Sequence, residues 1–115
     1  MQPKSRRWLE DIIISCDFIL SAARYKTLAD YESDGMLRAA VERHFEIIGE
    51  AMNRILRHDP DTAALVGEHR RIIAFRNVLA HGYDLVNKAD VWKIIQTDLP
   101  VLRAQVAELL KGAKG

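Results

Sequence analysis

Residues 35–57 read GMLRAAVERHFEIIGEAMNRILR, and they place Leu37, Ala40, Val41, Phe45, Ile48, Met52, Ile55 and Leu56 on one helical stripe. Glu42, Arg43, Glu46, Glu50, Asn53 and Arg54 fall on the other face, with Glu46 one turn before Glu50 and Glu50 one turn before Arg54. A helix this long with a single apolar stripe has to be buried against others. Gly49 stands inside it, at a cost of about 1 kcal/mol relative to alanine. That cost predicts the close approach of another backbone at this point.

Working outward, the punctuation is sparse, with 6 Gly and 3 Pro in 115 residues. Upstream, Trp8, Leu9, Ile12, Ile13, Cys16, Ile19, Leu20 and Ala23 form a second stripe, which predicts a helix from about Lys4 to Leu28. Residues 30–34 read as a loop in which Ser33 or Asp34 caps the helix that follows. Downstream, Asp59-Pro60-Asp61 ends the central helix, because a residue before proline avoids the α region. A short helical turn over 61–66 is expected, closed by Gly67, and then a helix over about 68–80 with Ile72, Phe75 and Leu79 inward. Gly82 marks its end and should permit a left-handed turn.

Asn87 is the expected cap of a last helix over about 88–110, which buries Val91, Ile94, Ile95, Leu99, Leu102, Val106 and Leu109. Pro100 should kink that helix or divide it. No segment has the period of a strand and no repeat is visible. The expected fold is all-α: a bundle of four to five helices in one domain over residues 1–110, with a disordered tail at 111–115.

Composition narrows the function classes. A lone cysteine, Cys16, forms no internal disulfide and no cysteine-based metal site. With 17 Lys+Arg against 16 Asp+Glu, the chain is not a general polyanion binder, although a local basic patch remains open. Apolar runs stop at three or four residues, against the ~20 needed to span a bilayer. The basic N-terminus lacks the apolar core of a signal peptide, so a cytoplasmic location is expected.

The chemistry concentrates in residues 76–84, RNVLAHGYD. Arg76 lies beside the apolar stripe, where a guanidinium needs a partner or an interface. His81 falls at the C-terminal end of its helix, where the macrodipole favours an imidazolium. Asn77 is one turn before His81 and could orient its ring. Arg76 and His81 are five positions apart, about 140° around an ideal helix. They meet only if the helix loosens or a second copy brings its own pair opposite. A histidine that exchanges a proton near neutrality, beside a permanent cation, suits phosphodiester cleavage without a metal or other cofactor. The residues alone also allow a structural reading, with Arg76 paired to Glu46 or Glu50 and His81 as a helix-end residue.

Phe75-Arg76-Asn77-Val78-Leu79-Ala80-His81-Gly82-Tyr83 fits R-x4-H-x-Y and resembles the signature of the HepT-like HEPN family. The resemblance extends to Val41-Glu42-Arg43-His44-Phe45-Glu46-Ile47-Ile48-Gly49-Glu50-Ala51, to Val91-Trp92-Lys93-Ile94-Ile95 and to Asp98-Leu99-Pro100, covering about residues 5–110. It implies a homodimeric, metal-independent endoribonuclease, the toxin of a type VII-like toxin–antitoxin pair, that cuts RNA in a cleft between two motif copies. On that resemblance Arg76 and His81 are the catalytic pair and Asn77 supports them. Tyr83 is the tyrosine that a nucleotidyltransferase antitoxin can modify with AMP, placing negative charge where an RNA phosphate would lie. Two rivals stand beside this reading. One is a non-catalytic HEPN module that binds nucleotide or RNA and docks a nucleotidyltransferase; the other is a purely structural helical protein.

Other residues carry plainer expectations. Glu46 and Glu50 are expected in salt bridges with Arg43, Arg54 or Arg76 rather than as an acid pair. Arg70 and Arg71 are the best candidates for contact with an RNA backbone, with a solvated face as the alternative. Trp8 and Trp92 read as core or interface anchors. His44, His58 and His69 lack the spacing of metal ligands.

Overall fold

The computed structural model describes residues 1–82 and 86–112, and among them every regular element is a helix. These are α1 (Pro3–Ala23), α2 (Leu28–Ser33), α3 (Gly35–His58), α4 (Pro60–Ala64), α5 (His69–His81) and α6 (Lys88–Gly112). The four long ones, α1, α3, α5 and α6, carry the expected stripes. Helix α3 packs on α1 and α5, while α1 also packs on α6. Leu9, Ile12, Cys16 and Ile19 of α1 meet Val41, Ile48, Met52 and Ile55 of α3 and Val91, Ile95, Leu99 and Val106 of α6 in a single core. Burial in that core pushes the Cys16 thiol up to about 12, so it remains protonated and inert. No described helix is long and apolar enough to cross a membrane.

The structure departs from the sequence reading at several places. Residues 28–33 form a helix rather than a loop. Thr27 and Asp30 make a reciprocal capping box, and Tyr31 is buried against Trp92, 5.4 Å between ring centroids. Asp34 caps α3 as expected, its carboxylate accepting from the Leu37 N–H at 3.0 Å. Helix α6 is not divided at Pro100. The proline, which lacks a backbone N–H, sits on the exposed face while Leu99 and Leu102 on either side are buried.

Two further corrections concern the ends of helices. Gly82 is not left-handed: its φ is −141°, and α5 ends with the Gly82 N–H donating to the Val78 carbonyl at 2.8 Å. Just beyond Gly67, Glu68 takes a left-handed backbone, with φ of 63°, and opens α5. Helix α6 begins as expected, with Asn87 Oδ1 accepting from the N–H groups of Ala89 and Asp90 at 2.8 and 3.2 Å. It runs on through Lys111 and Gly112, where a disordered tail was expected to begin; residues 113–115 of that expected tail lie outside the described residues.

The junction of α3 and α4 holds a polar hub. Asp59 is buried, and its Oδ2 accepts from the Thr62 hydroxyl at 2.7 Å, the Ser5 hydroxyl at 2.8 Å and the Gln2 N–H at 3.1 Å. These bonds tie the start of α1 to the end of α3.

Candidate active site around Arg76 and His81

Helix α5 leans on α3 through Phe75, whose ring meets Phe45 edge-on at 5.2 Å. One turn of α3 away, Gly49 is buried beneath Arg76. A Cβ at position 49 would overlap the Arg76 Cβ and lie 2.6 Å from its Cγ, with the Ile72 carbonyl at 3.4 Å. The expected close approach is therefore real, and the group that fills the space is chiefly the root of the Arg76 side chain.

The Arg76 guanidinium is held at both ends. Its Nη2 donates to Glu50 Oε1 at 3.4 Å, and its Nη1 donates to Asn77 Oδ1 at 3.2 Å. Its Nε is buried without a hydrogen-bond partner among the described residues. Arg43 reaches the same Glu50 oxygen at 3.7 Å and Glu46 at 3.5 Å. An ion network thus runs along α3 from Glu46 to the root of the motif helix. Glu46 and Glu50 take part in the expected pairings with Arg43 and Arg76.

The candidate residues are not all brought together. His81 is exposed on the last turn of α5, and Asn77 is engaged with Arg76. Arg71 lies five positions before Arg76, about 140° around the helix. It reaches instead toward Glu68 at 3.7 Å and Asp98 of α6 at 3.8 Å. Arg70 is exposed. Tyr83, the expected modification site, lies outside the described residues. Trp8 and Trp92 are part-buried against the core. The other histidines have local roles: His44 hydrogen-bonds Ser15 at 3.0 Å and stacks on Phe18, while His58 lies against Trp8.

Two cavities flank the motif helix. A polar one of about 390 Å³ is bounded by Arg38, Glu42, Arg43 and Glu46 of α3 with Leu79 and Lys88. Burial pushes the Glu42 carboxyl up, opposed by Arg38. Sequence reading placed Glu42 on the polar face but passed over Arg38 and Lys88, although Arg38, Glu42, Glu46 and Glu50 recur every fourth residue and so share one face. The second cavity, of about 420 Å³, is an apolar groove between α3, α5 and α6, walled by Phe45, Ile72, Phe75, Ile94, Leu99 and Leu102.

Comparison with known proteins covers nearly the whole chain. The chain matches the family described as "Ribonuclease HepT-like" over residues 12–109. It is 31% identical over 109 residues to a protein of Caldanaerobacter subterraneus subsp. tengcongensis named "Putative RNase", covering 95% of this chain and 96% of the relative. A Thermococcus cleftensis protein named "Probable ribonuclease HepT" is 31% identical over 113 residues, 96% of this chain and 100% of the relative. A Methanocaldococcus jannaschii protein named "Putative RNase" is 28% identical over 101 residues, 88% of this chain and 92% of the relative. No solved structure matches the chain significantly.

Proposed function

The chain belongs to the HepT-like ribonuclease family, and on that premise we propose that it is a metal-independent endoribonuclease, with Arg76 and His81 as its catalytic pair. The observation that carries this reading is the placement of an anchored, half-buried Arg76 and an exposed His81 on one helix inside the matched residues. In the proposed reaction His81 takes the proton of a ribose 2′-hydroxyl. The freed oxygen bonds to phosphorus, the bond from phosphorus to the 5′-oxygen breaks, and the leaving oxygen gains a proton from an imidazolium. Arg76 offsets the charge that builds on the phosphate.

The functional unit of this reading is a homodimer. The angular separation of Arg76 and His81 on one helix favours a site to which two copies contribute. The apolar groove beside α5 also supports it, since Val78 is 41% exposed on α5 and Val101 is 57% exposed on α6. The same reading makes the chain a cytoplasmic toxin paired with a nucleotidyltransferase antitoxin. Transfer of AMP from ATP to the Tyr83 hydroxyl, with release of pyrophosphate, would put an anion beside the site.

Expression without a partner, in parallel with purified-protein cleavage of single-stranded RNA, tests the catalytic assignment. Arg76→Ala and His81→Ala are expected to abolish both toxicity and cleavage with the fold intact. Variants as active as the parent would instead favour a non-catalytic module. Co-expression with a neighbouring nucleotidyltransferase gene, read by intact mass, should give AMP-sized increments that vanish in Tyr83→Phe.

A further inference from the structure

The guanidinium of Arg76 carries five N–H groups. One on Nη2 goes to Glu50, one on Nη1 goes to Asn77, and the one on Nε is buried. Among the described residues one N–H on each Nη has no partner, which leaves a donor on each nitrogen for bidentate contact with a phosphate. Asn77 is the next residue on the same helix and would travel with Arg76. Glu50 is different: it stands on α3, one residue after the Gly49 that accommodates the Arg76 Cβ and Cγ. It is also braced by Arg43, which shares its Oε1. Root and tip of Arg76 are therefore fixed by two consecutive residues of another helix.

We propose that Glu50 is the positioning residue for Arg76, holding its guanidinium in the orientation that presents the free Nη N–H groups to an RNA phosphate. Glu50 itself touches no substrate on this account, and the inference rests on the ribonuclease reading above. Without it the long side chain regains rotamer freedom, and a misplacement of about 1 Å can cost on the order of 100-fold in rate. A carboxylate or an amide oxygen can fill the role, because what Arg76 needs is an acceptor at that point.

Steady-state cleavage of a labelled, mixed-sequence single-stranded RNA by the whole protein tests this, with thermal melting to verify folding. Glu50→Met and Glu50→Ala should lower kcat by about 10–100-fold while KM moves by less than about threefold. Glu50→Gln should restore most of kcat. The methionine variant keeps the side-chain volume should the alanine variant fail to fold. A wild-type kcat in Glu50→Met, beside an inactive Arg76→Ala, overturns the positioning role and leaves the ribonuclease reading standing. Glu50→Gln as impaired as Glu50→Met also overturns it. An Arg76→Ala enzyme that cleaves normally overturns both.

Discussion

Gly49 of α3 yields its side-chain space to Arg76 of α5: the Cβ it lacks would sit within the Arg76 Cβ and Cγ. A helix-interior glycine is thereby explained by one side chain on a neighbouring helix. It also makes the position of Arg76 a property of the α3–α5 packing rather than of the motif helix alone. Glu50, the next residue, takes the other end of the same side chain.

Gly49→Ala is the direct test of that packing. In an open helix the change would stabilise by about 1 kcal/mol. Here the methyl group meets the root of Arg76, and overpacking of this kind costs about 1–3 kcal/mol. Urea denaturation should show a lowered midpoint, and RNA cleavage by the folded fraction should fall because α5 is displaced. A raised midpoint would mean that α5 moves aside at little cost.

Arg76→Lys should be nearly as damaging as Arg76→Ala. A lysine keeps the charge but replaces the planar fork with a single point of donation, so it cannot hold Glu50 and Asn77 while offering two N–H groups to a phosphate. The expected loss in kcat is about 10-fold or more, with thermal stability close to the parent. Lysine at parental activity would show that charge alone suffices.

The long helices were legible because their apolar residues recur with a helical period, and a candidate site could be named because Arg76 and His81 stand in a recognisable phrase. What escaped sequence reading depended on distant partners or on local geometry. Residues 30–34 look like a loop by composition, yet Tyr31 finds a buried place against Trp92, and the Thr27–Asp30 box starts the helix. Gly82 suggested a left-handed turn, yet its φ is −141°, while at the other end of the same helix the non-glycine Glu68 is left-handed. Asp59 read only as a helix stop before proline. Its partners, Ser5 and Gln2, lie 54 and 57 positions away, beyond any local pattern.

Asn77 provides a test that separates two placements. The sequence allows it to orient His81, one turn later, whereas its Oδ1 accepts from Arg76. Asn77→Ala should therefore lower kcat and leave the pH–rate profile in place, since His81 keeps its surroundings. A profile displaced along the pH axis would assign Asn77 to His81 after all.

Asp59 gives a prediction about acid. Its carboxyl is held down to about 2, first by the Thr62 hydroxyl, then by the Gln2 N–H and the Ser5 hydroxyl. An unfolded aspartate titrates near about 3.9. Between these values the unfolded chain binds the proton and the folded chain does not, so stability falls as pH drops through that window. Above about pH 5 both states are ionised and the contribution is complete. Asp59→Asn removes the titration and leaves a neutral acceptor in the hub at every pH. Its melting temperature should lie below the parent's by a constant margin above about pH 5, and the margin should close as pH approaches about 2. Other carboxylates titrate equally in both proteins, so the difference between the two curves isolates this one. Curves that stay parallel down to the acid limit would mean that the bonds from Ser5 and Thr62 do not favour the charged form.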